Sequence, residues 1–146
     1  MIENMSNYRI DDLREGMNFS IEIKLSAADI DNYARVSGDI SPIHMDDNFA
    51  SKRGFTKRVA HGLLLASYLS RIVGVHLPGR NAFLQSINLH FLLPVNVGDT
   101  IRIGVVVDQV STAANTIVLK AHIENIATGK LHARGKLQVG FTEEKL

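Results

Sequence analysis

A chain of 146 residues suits a single domain, spanning 1–146, with one substantial core. Sixteen basic against fifteen acidic residues leave a net charge of +1, so no broad basic field exists to displace counterions from nucleic acid. The lack of cysteine excludes disulfides, thiolate metal sites and a cysteine nucleophile.

The opening "MIENMSNYRIDD" has neither a basic nor an apolar signal-like region, and the longest apolar run, "GLLLAS", is far too short to span a bilayer. A soluble cytoplasmic protein without a membrane partner is expected. "NFSIEIKLS" alternates Phe19, Ile21, Ile23 and Leu25 with polar residues, which predicts a half-buried strand. In "SAADIDNYARVSG", Ser26 and Asp29 have capping-box spacing, and Ile30, Tyr33, Ala34 and Ser37 recur at helical intervals. Gly38 is a natural helix stop. "SGDISPIHMDD" then runs into a loop that Pro42 is expected to keep from continuing as regular helix. Asp46 and Asp47 precede "NFASKRGF", a short helical segment whose start they would cap.

"HGLLLASYLSRIVGVHLPG" predicts a second helix ending near Gly74 to Pro78. Leu63, Leu64, Leu65, Tyr68, Leu69, Ile72 and Val73 surround its axis, and Arg71 is the only charge between Gly62 and Val75. A helix apolar nearly all round is a buried one. Four strand-like segments follow: "QSINLHF", "TIRIGVVVD", "NTIVLKAHIEN" and "KLHARGKLQVGF". In the last, Leu131, Ala133, Leu137, Val139 and Phe141 are expected inside and His132, Arg134, Lys136 and Gln138 outside. The turn "ATGK" suits a tight hairpin. One-sided alternation over consecutive strands predicts an antiparallel sheet with one buried face, which can wrap the buried helix. The fold class is α+β.

The loop brings Asp39 and His44 within a short stretch. A carboxylate and an imidazole can share a water, withdraw its proton and later return it. The plainer alternative is a backbone-turning Asp39 and a surface His44. His44 with Asp46 supplies only two candidate metal ligands, too few for a hard cation, so no metal is expected. At the second helix start, the first-turn N–H groups are unpaired, and Gly62 lets another molecule approach them. A carbonyl oxygen docked there would be polarised. The alternative is that Gly62 permits tight packing and His61 is a polar cap. Ser67 and Ser70 are explained most simply by bonds back to their own helix. His76, His90, His122 and His132 form no ligand pair and are expected at the surface or an interface. "KRGFTKR", residues 52–58, is a basic cluster of the kind that usually faces solvent or attracts a phosphorylated ligand.

Taken together, "SGDISPIHMDDNFA", "RVAHGLLLASYLS", "LPG" and "FLLPVNVGDTI" resemble the MaoC-like, R-specific enoyl-CoA hydratases of the hot-dog fold, from about Leu25 to about Gln109. The resemblance implies an antiparallel sheet wrapped around a long central buried helix. It implies a hydro-lyase of fatty-acid metabolism that hydrates trans-2-enoyl-CoA reversibly to (R)-3-hydroxyacyl-CoA. The family's water-activating aspartate and histidine map onto Asp39 and His44, and its thioester-binding glycine onto Gly62. A serine further along the helix maps onto Ser70, which with His61 would contact substrate. No cofactor is implied beyond the phosphopantetheine that CoA or an acyl carrier protein brings, and no G-x-G-x-x-G is present for a dinucleotide. A homodimer, or a pair of such dimers, is implied; Val106 and Val118 put apolar groups on the face opposite the core. The alternatives are a dehydratase of carrier-protein or polyketide intermediates with the same residues, a hot-dog thioesterase, and a non-catalytic acyl-thioester-binding protein.

Overall fold

Ser26 starts the first helix as its spacing predicts. Its hydroxyl accepts from the Asp29 N–H, and the Asp29 carboxylate accepts from the Ser26 N–H. The helix, α1 (Ala27–Ser37), stops where Gly38 turns left-handed at φ 76°, a conformation cheap only for glycine. Two short helices follow, α2 (Pro42–Met45) and α3 (Asp47–Lys52), then α4 (Gly62–Arg71), which runs into one π-helical turn, Ile72–His76. Before α1 lies strand β1 (Asn18–Lys24). After the π turn come β2 (Ala82–Phe91), β3 (Thr100–Ser111), β4 (Thr116–Asn125) and β5 (Leu131–Phe141). The computed structural model describes residues 4–145; Met1 to Glu3 of the opening segment and Leu146 lie outside the described residues.

The five strands form one antiparallel sheet in the order β1-β3-β4-β5-β2. Alternate residues of β3 and β4, among them Ile101, Ile103, Val105, Ile117, Leu119 and Ile123, are buried against Leu64, Leu65, Leu69, Ile72 and Val73 of α4 and the π turn. Each fully buried aliphatic side chain contributes about 1.5–3 kcal/mol relative to exposure. The architecture is the α+β hot-dog arrangement expected, a sheet curled on a central helix. No helix among the described residues is long and apolar enough to cross a membrane.

Three details differ from the sequence expectation. The central helix is not buried all round: Leu63 is 67% exposed, and Ser67 and Ser70 also face outward, because the sheet covers only one side of it. Pro42 does not prevent helix but begins one. It occupies the first turn of α2, where its missing N–H costs nothing. In β5 the inside–outside phase slips, since Ile123 pairs with Ala133 and Glu124 with Leu131, leaving His132 as the extra residue of a bulge. His132 is therefore buried and Leu131 exposed, the reverse of strict alternation.

Candidate active site

The catalytic-looking loop is built from its helix ends. After Gly38, the Asp39 N–H donates to the Ser37 hydroxyl at 3.1 Å, and Asp39 Oδ1 accepts from the Ser41 N–H at 3.1 Å. One carboxylate oxygen thus closes a local turn, and Oδ2 is left for another partner. The single turn of α2 carries His44, whose Nδ1 lies 2.7 Å from the Val59 carbonyl. A carbonyl only accepts, so Nδ1 holds the proton and Nε2 is the nitrogen free to take one. Arg58 braces the same turn. Its guanidinium donates to the His44 carbonyl at 2.5 Å and pairs with Asp31 of α1, while its backbone N–H donates to Asp47 at 2.8 Å.

His61 and Gly62 stand at the start of α4, as expected. The His61 carbonyl accepts from the Leu64 and Leu65 N–H groups at 3.1 and 3.3 Å. Gly62, as the first helical residue, has an N–H with no acceptor within the helix. A Cβ on Gly62 would lie 2.9 Å from the Phe91 ring, so glycine is needed here for closeness rather than for an unusual dihedral. His61 is not the polar cap weighed as the alternative: it makes no capping bond and is 2% exposed. Its Nε2 lies 2.9 Å from the Asp39 carbonyl, and its ring stacks on His44 with centroids 3.9 Å apart and planes 26° apart.

A cavity of about 360 Å³ opens here, lined by His44, Gly62, Ala60, Leu65, Phe91 and Leu92 among others. Its walls are mostly apolar, and its polar groups are the His44 ring and the α4 N-terminus. A larger cavity of about 470 Å³, beside Arg9, Asn115 and Glu143, holds none of these groups. Ser70 does not line the smaller cavity. It is exposed on α4, eight residues past Gly62 and so about 12 Å further along the axis. Ser67 bonds back to the Leu64 carbonyl at 2.6 Å, as expected.

A carboxylate oxygen of Asp39 and ring nitrogens of His44 and His61 lie within 4.8 Å of one another. Three such groups meet the ligand count of a metal site, which His44 with Asp46 does not; Asp46 is occupied in capping α3 through the Phe49 N–H. Two features make the set a poor cage. Nearly parallel rings direct their lone pairs side by side rather than to one point, and His61 Nε2 already donates to Asp39. The arrangement fits proton transfer better. The sequence expectation missed Arg58, which is a brace rather than part of a solvated basic face, and the Phe91 ring over Gly62.

Comparison with known proteins places the fold and the family. Residues 11–128 match the family model described as a MaoC like domain. An (R)-specific enoyl-CoA hydratase of Rhodospirillum rubrum is 33% identical over 133 residues, covering 86% of this chain and 92% of the relative. A mitochondrial 3-hydroxyacyl-(acyl-carrier-protein) dehydratase of Arabidopsis thaliana is 45% identical over 91 residues, 62% of this chain and 50% of the relative. Among solved structures, the (R)-hydratase from A. caviae involved in PHA biosynthesis superposes with a TM-score of 0.84 at 31% identity, covering 88% of this chain and 97% of that one. A family match over most of the chain, with the loop, the helix start and the sheet all in place, leaves one assignment: the chain belongs to the MaoC-like domain family.

Proposed function

We propose that this protein is a hydro-lyase that adds water to trans-2-enoyl-CoA, forming (R)-3-hydroxyacyl-CoA, and catalyses the reverse dehydration. The observation that carries the reading is convergence. A carboxylate and an imidazole with a free Nε2 meet within 4.8 Å, beside an apolar cavity that also contains the first N–H of the central helix. Water is held between Asp39 Oδ2 and His44 Nε2. Its oxygen bonds to C3 while one of its protons passes to Asp39, the general base, and His44 positions the water and shares the proton transfers. The C2–C3 π pair shifts onto the thioester oxygen, which the Gly62 N–H and the positive end of α4 stabilise. Such a donor is worth about 3–4 kcal/mol. The pair then returns to bond C2 to a proton delivered by the Asp39–His44 pair, which restores both groups.

Atoms and electrons balance without an oxidant, a metal or a nucleotide; the phosphopantetheine arm arrives with the substrate. A chelator is expected to leave the rate unchanged. The test follows loss of the conjugated enoyl-thioester absorbance with acyl-CoAs from four carbons upward. The product is then offered to an S-specific hydroxyacyl-CoA dehydrogenase, and rapid NAD reduction would overturn the R assignment. A carrier-protein substrate is the second reading, favoured by the 45% identity to the mitochondrial dehydratase. Turnover of carrier-bound but not CoA-bound substrate would select it.

A homodimer belongs to the same proposal. Edge strand β2 exposes Phe83 at 45%, Ile87 at 39% and Phe91 at 49%, a stronger apolar edge than the half-buried Val106 and Val118. Pairing two copies along β2 would cover these side chains and close the cavity beside Phe91. Light scattering is expected to give twice the chain mass, and Ile87→Lys half of that. A wild-type monomer at micromolar concentration overturns the dimer.

A further inference from the structure

We propose that His61 is a positioning residue that locks the two water-handling groups to the oxyanion donor; the inference rests on the hydratase reading above. At 2% exposure and outside the cavity lining, His61 is placed to act through its neighbours rather than on substrate. Each neighbour is a proposed participant. Its Nε2–H donates to the Asp39 carbonyl at 2.9 Å, since a carbonyl only accepts. Its ring stacks on His44 at 3.9 Å, and Tyr33 of α1 is tilted against it at 4.8 Å.

The third neighbour is covalent. The Gly62 N–H belongs to the planar peptide that His61 begins, and the carbonyl of that peptide is tied into α4 by Leu64 and Leu65. The direction of the N–H is therefore fixed by the same unit that holds the loop. This matters because residues 38–42 are all exposed and have little packing of their own. Among the described residues, the other hydrogen bonds that hold Asp39 come from Ser37 and Ser41, at the helix end and in the same loop. The bond from His61 is the one that ties Asp39 to the central helix.

Two substitutions divide the role. His61→Phe keeps a ring for stacking and removes the donor. His61→Gln keeps an N–H at comparable reach and removes the ring. With a turned-over enoyl thioester, His61→Phe is expected to lower kcat by about 10–100-fold, the usual cost of a displacement near 1 Å, with KM changed much less. His61→Gln is expected to recover part of that loss. In an Asp39→Asn background, His61→Phe is expected to lower the residual rate by less than twofold, because the hydrogen bond it removes acts through Asp39, whose carboxylate is already gone, while the ring on His44 is kept. Wild-type kcat in His61→Phe, or an equal fold-loss in both backgrounds, overturns the proposal. The NMR resonances of the His44 ring protons give a readout independent of turnover. Loss of the stacked ring in His61→Gln is expected to move them downfield, whereas unmoved resonances overturn the contact. If the wild-type protein turns over no enoyl thioester, the hydratase reading fails, while the resonances still decide whether His61 positions His44.

Discussion

The two ends of the central helix each hold a histidine stacked on an aromatic ring, and they differ in what surrounds it. At the N-terminus, His61 lies on His44 and donates to Asp39. At the far end, in the π turn, His76 lies on Phe19 of β1, centroids 4.3 Å apart and planes 13° apart. Each ring keeps one buried nitrogen without a partner among the described residues, Nδ1 in His61 and Nε2 in His76. Helix polarity predicts opposite preferences, since the N-terminus favours developing negative charge and the C-terminus favours a cationic imidazole. His76 does not take up that offer. Burial pushes its pKa down from 6.5, and the Arg71 charge adds to the effect. One end has a carboxylate, a second imidazole and a cavity; the other has the Phe19 ring and the Arg71 charge. Neighbours, not residue type, separate chemistry from packing.

The largest effects should come from the N-terminal end. Asp39→Asn and His44→Ala are each expected to lower kcat by about 10²–10⁴-fold. Their melting temperatures should stay near wild type, because Asp39 is exposed and His44 only half-buried. Near-wild-type turnover in either would remove the contrast between the ends. Gly62→Ala comes next. It keeps the N–H but sets a methyl 2.9 Å from the Phe91 ring, so either the ring or the helix start must move. A loss of about 10²–10³-fold in kcat is expected, that of one oxyanion donor. Phe91→Ala in the same chain should recover part of it, and no recovery would show that the contact with Phe91 is not the cause. Ser70→Ala, on an exposed helix face outside the cavity, should change kcat/KM by roughly twofold or less. A tenfold loss would extend the site along α4.

The local signals of this fold were legible in the sequence, and the contacts made between distant elements were not. The Ser26 and Asp29 spacing, the Gly38 stop and the Gly62 start are local signals, and each reappears where expected because capping depends on the nearest few residues. The pairing of Asp39 with His44 was readable for the same reason, five positions apart on one loop. What His61 touches was not, since its contact with Asp39 spans 22 residues and depends on how α1 and α4 pack. Arg58 looked like part of a solvated basic run, and only the fold places it under the His44 turn. The β5 bulge that buries His132 was hidden because one unpaired residue shifts the strand phase without any marker in composition.

The smallest effect concerns the far end and pH. His76 binds its proton less readily folded than unfolded, so below about pH 6.5 the unfolded chain holds more protons and stability falls. The stability this histidine carries is complete above its unfolded pKa and is lost as pH drops through 6.5 towards the folded value. His76→Phe removes the titrating group and keeps a ring to stack on Phe19. Its melting temperature should therefore fall less than that of wild type between about pH 8 and about pH 5, the range over which an imidazole titrates. Should His76→Phe lose as much on acidification as wild type, the far end would not be where burial suppresses charge. Thermal melts at the two pH values decide it, with turnover at pH 8 as the control that the N-terminal site is untouched.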